Sequence, residues 1–229
     1  MQTVVITGAN RGIGLALTRS FVDAGDHVIA ACRHPAMAAE LQALQKTGNV
    51  EIVALDVTSA DSVAALANSV GNRTIDVLIN NAGIMGGDQQ DSHDMDYAEW
   101  LHTFDVNTLA PFRVTMALLP ALKRSKRARV ITVSSQMGAF GLPMGYGRYA
   151  YRSSKAAVSK VMQVLAEELK ADGIVVCPVH PGWVQTDMGG PQAQITPAQS
   201  AGGLHRLISD LTLEKSGRFW TWEGREHVW

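Results

Sequence analysis

Residues 3–14 read Thr3-Val4-Val5-Ile6-Thr7-Gly8-Ala9-Asn10-Arg11-Gly12-Ile13-Gly14, or TVVITGANRGIG. The first five form an apolar, β-branched run of strand length. Gly8, Gly12 and Gly14 follow at once, and from 12 to about 24 the apolar residues recur at helical spacing. Glycines in a strand-to-helix turn let the backbone approach a pyrophosphate closely. The helix start then offers free N–H groups and a partial positive charge. A glycine triplet alone says little, because turns use glycine everywhere. Its place between a strand and a helix gives it meaning, and the expected ligand is a dinucleotide.

The rest of the chain repeats this unit. Runs that are apolar nearly throughout occupy 3–7, 27–32, 50–55, 75–80, 129–134, 174–178 and 218–221. Stretches of helical spacing fill about 12–24, 36–46, 59–70, 96–123, 149–171 and 197–210. Strands that are apolar on both faces belong to a parallel sheet covered by helices on each side. The pattern predicts an α/β Rossmann fold, doubly wound, with a mostly parallel seven-stranded sheet in a single domain over 1–229. A chain of 229 residues, 46% of them hydrophobic, suits one core of that size. The least regular parts, 86–94, 138–148 and 189–198, are loops made by these strands, where function is expected to concentrate.

Composition excludes several roles. Charged residues make up 18% and the formal net charge is −1, so nucleic acid is not an expected partner. The densest basic cluster, Lys123-Arg124-Ser125-Lys126-Arg127, ends a helical stretch and complements its dipole. No apolar run is long enough for a bilayer, and MQTVVITGAN at the start lacks the parts of a signal peptide. Cys32 and Cys177 read as small buried hydrophobes of a reducing compartment. A soluble cytoplasmic protein is expected. No metal is expected either, since the acidic loop 88–96 with His93 lacks calcium-loop spacing.

NAD-selective sites place an acidic side chain at the end of the second strand, where it accepts from the ribose 2′-hydroxyl. Here that place holds Ala31-Cys32-Arg33-His34, without a carboxylate. Arg33, and Arg11 from the glycine loop, could pair with a 2′-phosphate instead. The alternative is two ordinary surface arginines. NADP(H) is favoured over NAD(H).

Residues 145–155, GYGRYAYRSSK, hold Tyr146, Tyr149 and Tyr151 before Lys155. Positions four apart share one face of a helix, so only Tyr151 easily shares a site with Lys155. A phenol of pKa about 10 is a poor base near neutrality. A nearby ammonium and an oxidised nicotinamide would favour phenolate, and a phenol so tuned can exchange a proton with a carbonyl oxygen. The fifth strand ends in Ser134-Ser135, which face opposite sides, so one of the two can look into such a site. Asn107, in Asp105-Val106-Asn107-Thr108, lies within a helical stretch and could simply bend it.

TGANRGIG resembles the cofactor loop of the short-chain dehydrogenase/reductase family, and other marks of that family follow in order along nearly the whole chain. Asn80-Asn81-Ala82-Gly83 resembles its NNAG beside the cofactor, and Asp56-Val57 stands where members hold the adenine ring. Pro181-Gly182 with Val184 and Thr186 resembles the segment that contacts the nicotinamide carboxamide. Cofactor contacts are thus implied from Gly8, Asn10, Arg11, Gly12, Ile13, Gly14, Arg33, Asp56, Val57, Asn81, Ala82, Gly83, Tyr151, Lys155, Pro181, Gly182, Val184 and Thr186. Tyr151 to Lys155 matches the family's Y-x-x-x-K, which implies Tyr151 as acid or base. Lys155 is then implied to orient the nicotinamide ribose and lower the tyrosine pKa. The likeness also implies Ser135, with Ser134 as fallback, holding the substrate oxygen, and Asn107 supporting a proton relay through water. The spacing from Ser135 to Tyr151 exceeds that of many members, which touches the substrate loop more than the chemistry.

Segments 149–152, 180–190 and 216–219 are most similar to the C-factor and sniffer-like group of carbonyl reductases. That likeness implies an NADPH-dependent oxidoreductase (EC 1.1.1.-) acting on a small-molecule carbonyl. Ketones, aldehydes or quinone-like compounds would be reduced, reversibly toward a secondary alcohol. The alternatives are an NAD(P)-binding sensor or signalling protein with incidental turnover, and an interaction module that keeps only the fold. The helices around 96–123 and 149–171 are surfaces this family often uses to dimerise, so a homodimer or homotetramer is expected.

Overall fold

The structure is a computed structural model describing residues 1–142 and 145–229. Pro143 and Met144, inside the expected loop 138–148, lie outside the described residues. Strand β1 (Thr3–Thr7) leads to helix α1 (Gly12–Asp23), β2 (His27–Cys32), α2 (Ala39–Thr47), β3 (Val50–Ala54), α3 (Ala60–Val70) and β4 (Val77–Asn80). A hairpin of β5 (Gln90–Asp91) and β6 (Asp94–Met95) precedes α4 (Tyr97–Phe104) and α5 (Ala110–Leu122), with a π turn at Asp105–Leu109 between the two helices. Then follow β7 (Arg129–Val133), α6 (Tyr149–Leu169), β8 (Val175–His180), α7 (Pro197–Asp210) and β9 (Trp220–Thr221). Seven strands form one sheet in the order β3-β2-β1-β4-β7-β8-β9, every neighbour parallel.

Alternation along β1 explains why its sequence is apolar throughout. Val4 and Ile6 enter a core with Leu17 and Phe21 of α1 and Leu204 and Ile208 of α7. Val5 points the other way, into a core with Leu118 and Leu122 of α5 and Val158 and Met162 of α6. Each such side chain contributes about 1.5–3 kcal/mol on full burial. A surface pair such as Arg19–Glu40, half-exposed at both ends, is worth about 0.2–1 kcal/mol, so the two cores dominate stability. Strand order reverses between β1 and β4, which opens a crevice at the C-terminal edge of the sheet.

Three local expectations are corrected. β8 continues past Pro178 to His180. Val176 turns both backbone groups toward Ser216 and Gly217, and Pro178, two residues on, faces the same flank. There β9 pairs only from Val179 onward, so the missing N–H costs no ladder bond. The stretch 36–46 begins with a 3₁₀ turn at Pro35–Met37, and α2 starts only at Ala39. The irregular loop 86–94 contains the β5–β6 hairpin. Among the described residues, no helix is long and apolar enough to cross a membrane.

Candidate active site

The glycine loop is built from both sides of the switch point. Gly8 takes the left-handed region at φ +64°. Asn81 Nδ2 donates to the carbonyls of Thr7 at 2.9 Å and Gly8 at 3.1 Å. The Thr7 hydroxyl accepts the N–H groups of Asn81 and Ala82 at 3.1 and 3.0 Å. Gly14 is required by space: a Cβ there would stand 2.2 Å from the Gly8 carbonyl oxygen. Helix α1 therefore starts close against the loop. Its N-cap, Arg11, makes no capping bond and its first turn has no acidic residue. The unsatisfied N–H groups beside Asn10, Gly12 and Ile13 fit a pyrophosphate.

At the far end of this cradle, Arg33 is exposed, and its charge reaches Asp56. The Asp56 carboxyl is held below its usual range, first by the Thr58 side-chain and backbone hydrogen bonds and less by Arg33. Arg113 holds this edge by donating to the Val57 carbonyl at 2.8 Å while pairing with Asp105, also at 2.8 Å. Arg11 does not join Arg33; it forms an exposed ion pair with Asp187 at 2.5 Å. The loop after β8 thereby lies over the glycine loop, with Thr186 Cγ2 only 3.2 Å from where a Gly12 Cβ would be. Pro181, Gly182 and Val184 belong to the same loop, and Val184 bridges to Ile195.

The C-terminal end of β7 meets the start of α6. Tyr151 and Lys155 are both buried, with Lys155 Nζ 5.8 Å from the centre of the Tyr151 ring. Tyr149 is half-exposed and Tyr146 fully exposed. Ser134 turns into the protein, bonding the Lys155 carbonyl at 3.1 Å and Ser159 Oγ at 2.7 Å. Ser135 turns to the other side, toward Tyr151, where its hydroxyl lowers the phenol pKa and accepts the Met137 N–H at 3.1 Å. The structure thus brings Ser135, Tyr151 and Lys155 together.

In the protein alone, burial dominates the electrostatics of the pair. Burial raises the Tyr151 pKa, and the nearby Ser135 hydroxyl offsets this only in part. Burial also draws Lys155 down to about 8, its ammonium donating to the Val133 carbonyl at 2.8 Å. Neither group has a neighbouring counter-charge that outweighs desolvation. Tyr151 is therefore a phenol at neutral pH, the form that can give a proton.

Asn107 sits at the centre of the π turn, a helical irregularity frequent at functional sites. Its side chain is engaged with protein groups, donating to the Ile84 carbonyl and Ser154 Oγ and accepting the Ile84 N–H. Gly83 passes beside it, a Cβ there lying 3.2 Å from Asn107 Oδ1 and 3.5 Å from Lys155 Nζ.

Sequence reasoning misses four supports. Gln90, buried in the hairpin, accepts the Tyr151 N–H and donates to the Met85 and Gly87 carbonyls. Gly138 lies against the backbone of α6, while His180 accepts the Gln136 N–H. Arg113 is the fourth. Only Gly138 carries a signal, a glycine just after Ser135, and it is a weak one. No cluster of metal-ligating side chains occurs among the described residues.

Comparison with known proteins accords with this geometry. A family model for short chain dehydrogenases matches residues 2–195. C-signal of Myxococcus xanthus is 44% identical over 170 residues, covering 72% of this chain and 99% of its own. The NADPH-bound carbonyl reductase from chicken fatty liver superposes with a TM-score of 0.94 at 34% identity, over 100% of this chain and 99% of that one. Carbonyl reductase Sniffer of D. melanogaster gives 0.95 at 31% identity over the full length of both. A glycine loop stitched to Asn81, and a tyrosine and lysine one helical turn apart at the open sheet edge, thus lie within a match spanning most of the sequence, and the chain belongs to the short-chain dehydrogenase/reductase family of oxidoreductases.

Proposed function

We propose that the protein is an NADPH-dependent reductase of ketones, aldehydes or quinone-like carbonyls, reversible toward the secondary alcohol. The observation that carries this is the burial of Tyr151 and Lys155 together, 5.8 Å from ring centre to Nζ, with Ser135 buried beside them at the end of β7. Bound NADPH would supply hydride to the carbonyl carbon. Tyr151 donates its proton as negative charge develops on the oxygen, and Ser135 holds that oxygen by a hydrogen bond. Lys155 orients the nicotinamide ribose and, protonated, favours the phenolate left behind. Asn107 keeps Ile84 and Ser154 in place around the lysine.

NADP(H) is preferred because β2 ends without a carboxylate and Arg33 stands exposed there to take the 2′-phosphate. The NADPH named with the chicken enzyme supports the same choice. Buried, unpaired cysteines are in keeping with a reducing cytoplasm. The test is loss of reduced-cofactor absorbance with NADPH and NADH across a carbonyl panel. Tyr151→Phe should lower kcat by about 10²–10⁴-fold, whereas Tyr149→Phe should leave it nearly intact. Faster turnover with NADH would overturn the cofactor assignment. The likeness to C-signal favours a second reading, a dinucleotide-binding signalling protein; tight NADPH binding without oxidation by any carbonyl would select it.

A further inference from the structure

The turn that carries Ser135 is held by residues from the far end of the sequence. The Gln136 N–H donates to His180 Nδ1 at 3.4 Å. The Gly141 N–H donates to the Trp229 carbonyl at 2.7 Å, and Val228 packs where a Gly141 Cβ would lie, 3.3 Å away. The His180 ring meets His227 edge-on at 5.8 Å between centres. Buried Phe219 packs on His227 at 4.8 Å and on Trp229 at 5.9 Å.

Segment 225–229 reaches this place by doubling back on β9. The Thr221 N–H donates to the Arg225 carbonyl at 2.8 Å and the His227 N–H to the Phe219 carbonyl at 2.7 Å, with Gly224 at φ +82° in the turn. Two bonds therefore land on one short turn, one beside Ser135 and one beside Phe140, which is 89% exposed. Burial draws the His180 pKa down to about 4, so its ring is neutral and Nδ1 can accept.

We propose that His180 and segment 225–229 form one positioning unit for Ser135 and the substrate loop, with His227 setting the His180 ring and Trp229 pinning Gly141. This rests on the carbonyl-reductase reading for the role of Ser135. His180 and Trp229 are positioning residues; neither touches the reacting atoms.

The test compares wild type with His180→Leu, His180→Asn, Trp229→Ala and the chain lacking 227–229. Each is assayed with NADPH and the carbonyl that wild type reduces fastest. His180→Leu and the shortened chain should lose about tenfold in kcat, with NADPH affinity by fluorescence unchanged. Asparagine, which keeps an acceptor near Nδ1, should recover most of the rate. Joining the two damaging changes should cost little more than either alone, because both act through one turn. Amide exchange should quicken at 136–141 and stay as in wild type at 8–14. Trp229→Ala, the smaller change, should quicken exchange at Gly141 even if the shortened chain fails to fold. Unchanged exchange at 136–141, or NADPH affinity and Tm falling in step with kcat, would overturn the proposal. A wild type that reduces no carbonyl overturns the reductase reading instead, and the exchange pattern then decides the positioning unit on its own.

Discussion

The side-chain oxygen of Gln90 accepts the backbone N–H of Tyr151 at 3.1 Å, while its amide donates to the carbonyls of Met85 at 2.9 Å and Gly87 at 2.6 Å. One buried glutamine thus caps the helix bearing Tyr151 and ties it to the loop after β4. It replaces the missing side-chain cap at Arg148, the one described non-glycine residue with positive φ, at 58°. Gln90→Leu strands the buried Tyr151 N–H, at a cost of about 1–3 kcal/mol, and frees two part-buried carbonyls, Met85 and Gly87, whose loss costs less. The expected result is a lower Tm together with a fall in kcat of about tenfold or more. Thermal unfolding and steady-state rates check it, and a variant with wild-type kcat would refute the positioning role.

Gly138 makes a second demand on backbone geometry. A Cβ there would lie 2.5 Å from the Ala156 nitrogen and 2.6 Å from the Lys155 carbonyl carbon, and backbone atoms cannot swing aside. Gly138→Ala must lift the turn that orients Ser135, so kcat should fall at least about tenfold while NADPH binding is kept. Gly202, in the middle of α7, has its nearest such contact at 3.7 Å from the flexible end of Arg206. Gly202→Ala should instead stabilise by about 0.5–1 kcal/mol. Denaturant titrations of both variants, read beside their rates, distinguish the two outcomes.

The contrast between these residues shows what a sequence can carry. Strands buried on both faces, such as β1, β2 and β4, are apolar nearly throughout and so legible, as are the six helical stretches between the strands. Tyr151 and Lys155 are legible because helical spacing alone puts them on one face. The two-residue strands Gln90–Asp91 and Asp94–Met95 are polar and carry no period, so their loop reads as solvated. Alternation shows that one of Ser134 and Ser135 looks inward, but only the fold puts Ser134 on Ser159 and Ser135 on Tyr151. The pairings of Gln90 with Tyr151 and His180 with Gln136 join distant segments, and no local pattern encodes them. How far burial raises the Tyr151 pKa likewise depends on the packing around it, which no spacing in the sequence reveals.

Burial of Lys155 gives a signed pH dependence. Its pKa is near 8 in the folded protein against 10.5 ordinarily, so between those values the unfolded chain binds more protons. Stability from this group therefore rises with pH across that interval, by about 1.4 kcal/mol per unit at the steep part. Tyr151, whose pKa is raised above 10, opposes this only above pH 10. Lys155→Met removes the proton uptake, so its stability advantage over wild type should shrink steadily from pH 7.5 to 9.5. Chemical denaturation at closely spaced pH values measures this, and parallel curves for the two proteins would show that Lys155 is not desolvated in the free enzyme.

An open groove between α5 and α6 is lined by Phe112, Ala157, Val161, Val164 and Leu165, with Lys160 and Glu168 at its edge. Phe112 and Val164 remain 42% and 48% exposed, a large apolar display for helices that otherwise bury their stripes. On α6 the lysine and the glutamate lie two turns apart. A second copy packed antiparallel across a two-fold axis would set each Lys160 against the other copy's Glu168 and cover the apolar strip between them. A homodimer through this face is the expected solution state. Val164→Glu buries two unpaired carboxylates, one from each copy, in the apolar strip of such a dimer, and should give a monomer by light scattering at micromolar concentration. The residue lies away from Ser135 and Tyr151, so the monomer should remain folded by circular dichroism. A wild type already monomeric at the same concentration, or a Val164→Glu variant that still dimerises, would exclude this face.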